Sequence, residues 1–407
     1  MKKIYNILLF ILNSKFVFKK PKSVEILIYD RIFSEYIELY LKPFSHDVLQ
    51  IRGQSLNIFI ILKLIFKFPT KNILHEYIKT YIETVKPKII VTGNDNDIKF
   101  FKLKNQIKNI NFKTIVIQNG YRTLAMPDII NYHKDFKDKD LLADYFLCFN
   151  DEVGKLYQKL FNCKSLTIGS FLNNINFKNK KQKKQKKKLF WVSQYRYRKN
   201  DKGMIDESNL TKNQKINFIN YNIKEFYDVE KKILPLIFDF CKKNEIEFGI
   251  ISSCLQQNTL SIQHEKEFYE KILINKKWRM NKNEKKNKLS VYSFLDEEVD
   301  YLAHAESTLG YESLSRGIRT ITFLSRKSNY SDQKYKFGWP NNFQLTGKIW
   351  SDKDNELEVE RLLEYIFLTN DKEWTIYLNT IKDKVMYADK DNQIFQSLIK
   401  DLMSNYT

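Results

Sequence analysis

Ser307 and Thr308 stand where a phosphate could be held. They lie within the run DYLAHAESTLGYESLSRGIRTITF, residues 300–323. A short apolar segment precedes them, a helical segment carrying Glu312 follows, and the helix is expected to stop at Gly317. A β-branched strand, Thr320–Phe323, then begins at once. A helix opened by hydroxyl residues offers backbone N–H groups and side-chain donors to an anion. One turn on, Glu312 is placed to accept hydrogen bonds from a ribose diol, the task of the acidic residue in dinucleotide folds. The chemistry suggested is recognition of a sugar carried on a nucleotide mono- or diphosphate.

Other chemistry-bearing residues follow strand-like segments. In the first half these are Asp30 and Arg31, then Gly93 through Asp97, then Asn119, Gly120, Tyr121 and Arg122. Transfer onto a hydroxyl needs a base for its proton and donors or positive charge for the departing phosphate. Asp30, Asp95 and Asp97 are therefore candidate bases, although Asp after a strand is equally an ordinary cap or turn residue. Asn119, Gly120, Tyr121 and Arg122 are candidate acceptor contacts. In the second half Ser193 and Arg196 follow one strand and Ser252 another, and each could meet the donor phosphate. The run Tyr195–Arg198 could instead stack on a base. His304 lies just ahead of Ser307, where it could protonate a leaving phosphate or serve as a core histidine.

Asp300, Ser307, Thr308, Glu312, Gly317 and Ile321 together resemble the donor-binding segment of GT-B glycosyltransferases, sugar-nucleotide epimerases and glycerophosphotransferases. Thr114–Arg122, TIVIQNGYR, resembles a strand end in bacterial capsule and surface-carbohydrate transferases. The resemblance implies an α/β fold of two Rossmann-like, doubly wound domains facing a cleft, with C-terminal helices. It also implies a nucleotide-sugar donor, CMP-linked sugars included, and a glycan or lipid-linked acceptor. The expected activity is metal-independent glycosyl transfer with no cofactor beyond the donor. Epimerase or glycerophosphotransferase chemistry on the same fold stays open, as does a non-catalytic basic protein that binds polysaccharide or lipid.

The elements that must position these residues alternate along the chain. Strands are predicted at Val24–Tyr29, Asp47–Ile51, Lys88–Thr92, Thr114–Gln118, Asp144–Phe149 and Ser165–Ile168. Helices are predicted at Ser34–Leu41, Leu56–Phe68, Asn72–Val85 and around residues 98–107. Helices between continuous apolar strands imply a parallel sheet covered on both faces. Residues 178–188, KNKKQKKQKKK, contain eight lysines and no apolar side chain. The tract is expected to link an acceptor domain over residues 1–177 to a donor domain over 189–407, with an anionic-phospholipid tether as the alternative. Beyond it, strands are expected at Leu189–Ser193 and Phe248–Ser252. Helices are expected at Ile223–Lys242, broken or bent near Pro235, and at His264–Leu273. The polar and basic stretches 201–215 and 276–288 read as loops. Three helices, Glu356–Leu368, Asp371–Lys384 and Asn392–Met403, should end the chain.

Composition narrows the class. The chain has 407 residues, enough for two domains, and 43% hydrophobic and 29% charged residues, which excludes a disordered chain. Its formal net charge is +21, yet no zinc-finger, RNA-recognition or helix-turn-helix signature accompanies it. A lysine-rich composition and a membrane-facing basic surface account for the charge better than nucleic acid does. Cys148, Cys163, Cys241 and Cys254 have neither metal spacing nor disulfide density and read as reduced thiols of a cytoplasmic protein. The histidines show no metal-ligand spacing, and Asp95-Asn96-Asp97 lies in the acceptor half, so no metal is expected. Residues 4–18 and 56–68 are apolar but too short or too interrupted to span a bilayer. The second suits a buried helix or one lying at the inner face of the cytoplasmic membrane.

Overall fold

The computed structural model describes residues 15–31, 33–50, 55–67, 73–120, 141–175, 187–195, 227–253, 259–281, 289–324 and 343–405. The chain divides into two compact units. The first contains residues 1–119, 132–171 and 392–407, and the second residues 120–131 and 172–391.

In the first unit, β1 (Lys15–Val17) pairs in parallel with β4 (Ser55–Asn57), forming a small two-stranded sheet. The main sheet contains β2 (Ile26–Tyr29), β3 (His46–Leu49), β5 (Ile89–Thr92), β6 (Lys113–Ile117), β7 (Tyr145–Cys148) and β8 (Lys164–Thr167). Its order is β3-β2-β5-β6-β7-β8, and every pairing is parallel. All four residues of β2 and of β5 are buried, as strands covered on both faces require.

Around the sheet run α1 (Ser34–Leu41), α2 (Ile58–Lys67), α3 (Ile73–Val85), α4 (Ile98–Phe101), α5 (Leu103–Gln106) and α6 (Asp151–Phe161). The sequence reading missed α6 and the first strand of the Leu56–Phe68 segment. Yet α6 carries a legible start: Asn150 caps it by accepting from Val153 N at 2.9 Å, with Asp151 and Glu152 in its first turn. Its inner face stacks Tyr157 on Phe146 at 3.9 Å and Phe161 on Phe101 at 4.2 Å. Asp144, just before β7, joins the strand ends below. It accepts from Lys104 Nζ at 2.7 Å and from Thr114 N at 2.8 Å.

The second unit has a six-stranded sheet of order β11-β10-β9-β12-β13-β14, again parallel throughout. Its strands are β9 (Lys188–Val192), β10 (Glu247–Ile251), β11 (Arg279–Asn281), β12 (Tyr301–His304), β13 (Arg319–Phe323) and β14 (Trp350–Ser351). The helices are α7 (Asp228–Lys243), α8 (Thr259–Ile272), α9 (Ser290–Glu298), α10 (Thr308–Ser315), α11 (Glu356–Leu368) and α12 (Asp371–Val385). Three sequence expectations change here. Residues 279–281 form an edge strand inside the expected basic loop. One helix, Asp228–Lys243, runs through Pro235, which rules out the break of the two alternatives expected there. Lys188 starts β9 and pairs with Glu298, so the last lysine of the tract belongs to the sheet. Residues 176–186, most of that tract, and residues 201–215 lie outside the described residues.

The final helix, α13 (Gln393–Ser404), was expected in the second domain but belongs to the first unit. Its Phe395 meets Phe171 edge-on at 5.2 Å and Tyr40 at 6.1 Å. Asn392 Nδ2 donates to the Phe171 carbonyl at 3.0 Å and to the Tyr40 hydroxyl at 3.1 Å. An aromatic anchor and a buried amide fix the helix there, a partnership that sequence order conceals.

Candidate functional site

In parallel sheets ligands gather beyond the carboxyl ends of the strands, at the point where strand order reverses. In the second unit this point lies between β9 and β12. Their registers align Val192 with His304 and Val192 with Ile251. Ser193, Ser252 and the segment from Ala305 to Thr308 therefore emerge side by side. Gln194 Nε2 donates to the Glu306 carbonyl at 2.9 Å and ties the two sides of the reversal.

Ser307 is the N-cap of α10, with extended backbone (φ −87°, ψ 137°), and its side chain makes no capping hydrogen bond to the helix. A hydroxyl left out of its own cap, beside the first N–H groups of a helix, is suited to an anion. Thr308 is the first residue of α10, and Glu312, one turn in, is buried. Gly317, with φ 86°, ends the helix in the left-handed region that glycine adopts most readily.

His304 is fully buried. Its Nδ1 accepts from Ser307 N at 2.9 Å, and its Nε2 lies 2.8 Å from Thr322 Oγ1. The first bond leaves Nδ1 without a proton, so Nε2–H donates to the threonine. With both ring nitrogens engaged inside the protein, His304 holds the turn into Ser307. These partners match the core-histidine alternative of the two expected for it.

Ser193 and Ser252 are gathered by a residue the sequence reading passed over. The carboxylate of Glu265, on α8, is fully buried and accepts from the hydroxyls of Ser193 and Ser252. It also accepts from Ser253 N at 2.8 Å, while Tyr269 OH donates to Ser193 Oγ at 2.8 Å. Around this cage Tyr195, Tyr227 and Phe268 cluster, with Tyr195 and Phe268 ring centres 5.0 Å apart. The only sequence signal for Glu265 is its place on the helix following β10. Arg196 lies outside the described residues.

The first sheet reverses between β2 and β5, and the three candidate aspartates lie there. Asp30 follows β2 in a left-handed conformation, φ 79°, and accepts from Asn94 Nδ2 at 3.2 Å. Glu306 at the other reversal is likewise left-handed, φ 60°. Such backbone in non-glycine residues is uncommon and concentrates where the surroundings impose it. Asp95 is buried. Asp97 caps α4 by accepting from Lys99 N at 2.9 Å and accepts from Tyr29 OH at 3.3 Å. Loss of hydration on burial raises its carboxyl above the ordinary aspartate value of 3.8, outweighing the Lys99 N–H and charge that pull it down. Asn119 Nδ2 reaches the Gly93 carbonyl at 2.9 Å, joining the end of β6 to that of β5. Gly120 ends this described stretch, and Tyr121 and Arg122 lie outside it.

Among the described residues no group of His, Cys, Asp and Glu could hold a metal ion, and no helix is long and apolar enough to cross a membrane. Cys148, Cys163 and Cys241 are free thiols; burial raises the latter two to about 12. Cys254 lies outside the described residues.

Two doubly wound parallel units, each with polar side chains collected where its strand order reverses, define a protein of the GT-B fold class. Solved structures agree on the fold. The wall teichoic acid polymerase TagF is similar at a TM-score of 0.50 and 13% identity, over 95% of this chain and 91% of that one. UDP-GlcNAc 2-epimerase from Methanocaldococcus jannaschii matches at a TM-score of 0.50 and 13% identity, over 92% of this chain and 99% of that one. A "putative UDP-N-acetylglucosamine 2-epimerase" from Listeria monocytogenes matches at 0.52 and 10% identity, over 94% and 97% of the two chains. The chain itself belongs to the family described as "putative O-antigen biosynthesis protein", whose family model matches residues 115–403. No curated protein matches the sequence.

Proposed function

We propose that this protein is a metal-independent glycosyltransferase of surface-polysaccharide assembly. It takes its sugar from a nucleotide-linked donor, CMP-linked sugars being among the candidates, and passes it to a growing or lipid-linked glycan. Membership of an O-antigen biosynthesis family and the GT-B fold support the sugar chemistry. The observation that carries the donor reading is Ser307. Its hydroxyl is left out of the α10 cap, at the strand reversal, in the loop that Gln194 ties to the end of β9.

In this reading the Ser307 and Thr308 helix start holds the donor phosphate and Glu312 accepts from the ribose. The acceptor oxygen bonds to the anomeric carbon, the bond from that carbon to phosphate oxygen breaks, and the nucleotide leaves with the electron pair. A carboxylate of the first unit takes the acceptor proton. Asp97, whose burial favours the protonated form, is better matched to that task than an exposed aspartate. Asp30 and Asp95 share its strand reversal and complete the candidates. Asn119 and its neighbours to Arg122 contact the acceptor.

The test is thermal stabilisation by CMP, UMP, UDP, GDP and CDP, with Ser307→Ala and Glu312→Ala alongside. A ligand at about 100 times its dissociation constant adds roughly 2.7 kcal/mol, a readily measured rise in melting temperature. One nucleotide stabilising the wild type and neither variant is the expected result. Stabilisation by none of the five, or equal stabilisation of both variants, refutes the donor site.

A further inference from the structure

The first unit exposes an apolar surface that its core does not use. On α2, Ile60 and Leu64 face inward and are buried. Phe59, Leu62 and Phe66, spaced i, i+3 and i+7, lie along an outer face that a surface helix ordinarily fills with polar residues. Leu62 is 46% exposed, Phe66 82%, and the adjacent Ile65 56%. Beside the start of this helix run the exposed Phe16, Val17 and Phe18, the last 72% accessible. They are held there by the pairing of Phe16 with Leu56 and by Asn57 Nδ2, which donates to the Lys19 carbonyl at 2.8 Å.

Within these two segments the charge has one sign, while the neighbouring α3 carries Glu76 and Glu83. Lys15, Lys19, Lys20, Lys22 and Lys63 are exposed, and residues 15–22 and 58–67 contain no Asp or Glu. None of these five lysines forms an ion pair among the described residues; Lys63 donates only to Thr84 Oγ1, at 3.0 Å.

We propose that β1, Phe18 and the outer face of α2 form a docking surface for an anionic lipid bilayer. Aromatic and aliphatic side chains enter the boundary between headgroups and acyl chains, and the flanking lysines pair with lipid phosphates. A ten-residue helix is too short to span a bilayer and suits a position in the plane of the interface. A second copy of the chain is the poorer occupant, because a two-fold contact would press the same unpaired lysines together. The proposal concerns a face the donor reading does not use, so either can fail without the other.

The test is co-sedimentation of the full chain with vesicles of phosphatidylethanolamine and phosphatidylglycerol, against vesicles of phosphatidylcholine alone. Binding to the anionic vesicles only, weakened by added salt, is expected. Leu62→Ser with Phe66→Ser should weaken it at least about tenfold, and Lys19→Glu with Lys20→Glu by a similar factor, with the melting temperature held. Absence of wild-type binding overturns the proposal. So does binding that survives the apolar substitutions and disappears when the lysines of 178–188 become glutamine. A mass in light scattering that halves on Leu62→Ser with Phe66→Ser would assign the face to a second copy. A fall in melting temperature with vesicle binding unchanged would assign it to another segment of the chain.

Discussion

Gln194 Nε2 donates to the Glu306 carbonyl at 2.9 Å, across the two strands between which the second sheet reverses its order. The bond joins the loop bearing Ser193 to the one bearing Ser307. Glu306 sits in a left-handed conformation as its carbonyl accepts. Removing the amide by Gln194→Ala should cost about 1 kcal/mol of stability. It should weaken nucleotide stabilisation by more than that loss explains, which comparative melting with and without nucleotide would show. A nucleotide response equal to that of the wild type would mean that the two loops hold their places independently.

Glu265 should be the most sensitive of the strand-end residues in the second unit. Glu265→Ala leaves the hydroxyls of Ser193 and Ser252 and the Ser253 N–H without their buried acceptor. A loss of roughly 3 kcal/mol is expected in denaturant unfolding, with nucleotide binding lost in the protein that remains folded. Glu265→Gln keeps an acceptor oxygen and should fall between the two.

Gly310 and His304 are matched in shape. A Cβ on Gly310 would lie 2.2 Å from the His304 ring, which Ser307 N and Thr322 Oγ1 hold in place. Gly310→Ala should therefore destabilise by about 1–3 kcal/mol through overpacking. His304→Asn, which is smaller and keeps polar atoms, should partly relieve the clash in the double variant. Additive losses in a double-mutant cycle would contradict this.

Asp97 and Asp144 should give opposite pH dependences. Burial raises the Asp97 carboxyl above 3.8, so its contribution to stability is fully present below the unfolded value and is lost as pH rises through the folded one. Relative to Asp97→Asn, wild type should lose stability as pH climbs from the unfolded value through the folded one. At Asp144 burial pushes upward, but hydrogen bonds from Lys104 and Thr114 N prevail and the carboxyl is lowered. Its contribution is present above the unfolded value and is lost as pH falls through the folded one. Asp144→Ala should cost about 2 kcal/mol near neutral pH and less in acid, as read from melting curves across pH.

Much of the fold was legible because its signals are local. Ser34–Leu41 and Glu356–Leu368 form helices with the bounds their patterns predict, and short runs of β-branched residues mark most of the sheet. The edge strand at 279–281 was hidden by its basic composition, since only three residues pair and they face solvent in part. The helix of residues 151–161 was missed despite its Asn150 cap, because its polar outer face diluted the apolar spacing. Among the candidates, Ser193, Ser252 and Ser307 follow β9, β10 and β12, three strands that are neighbours in the sheet. What sequence could not supply was Glu265. A carboxylate on a helix looks solvated until the fold turns it onto three strand-end donors. The two roles open to His304 could not be separated for the converse reason, since its partners Ser307 and Thr322 are recognisable only once β12 and β13 lie side by side.

The homing of residues 393–404 to the first unit also bears on how the chain is made. Phe395 and Asn392 complete a cluster with Tyr40 and Phe171, residues translated more than two hundred positions earlier. On the ribosome, domains tend to fold as they emerge. Here the unit that emerges first must wait for residues 392–404, with Phe171 uncovered while residues 172–391 are synthesised. Its completion depends on residues 392–404, so a nascent chain stalled anywhere before Asn392 should remain protease-sensitive in its first unit.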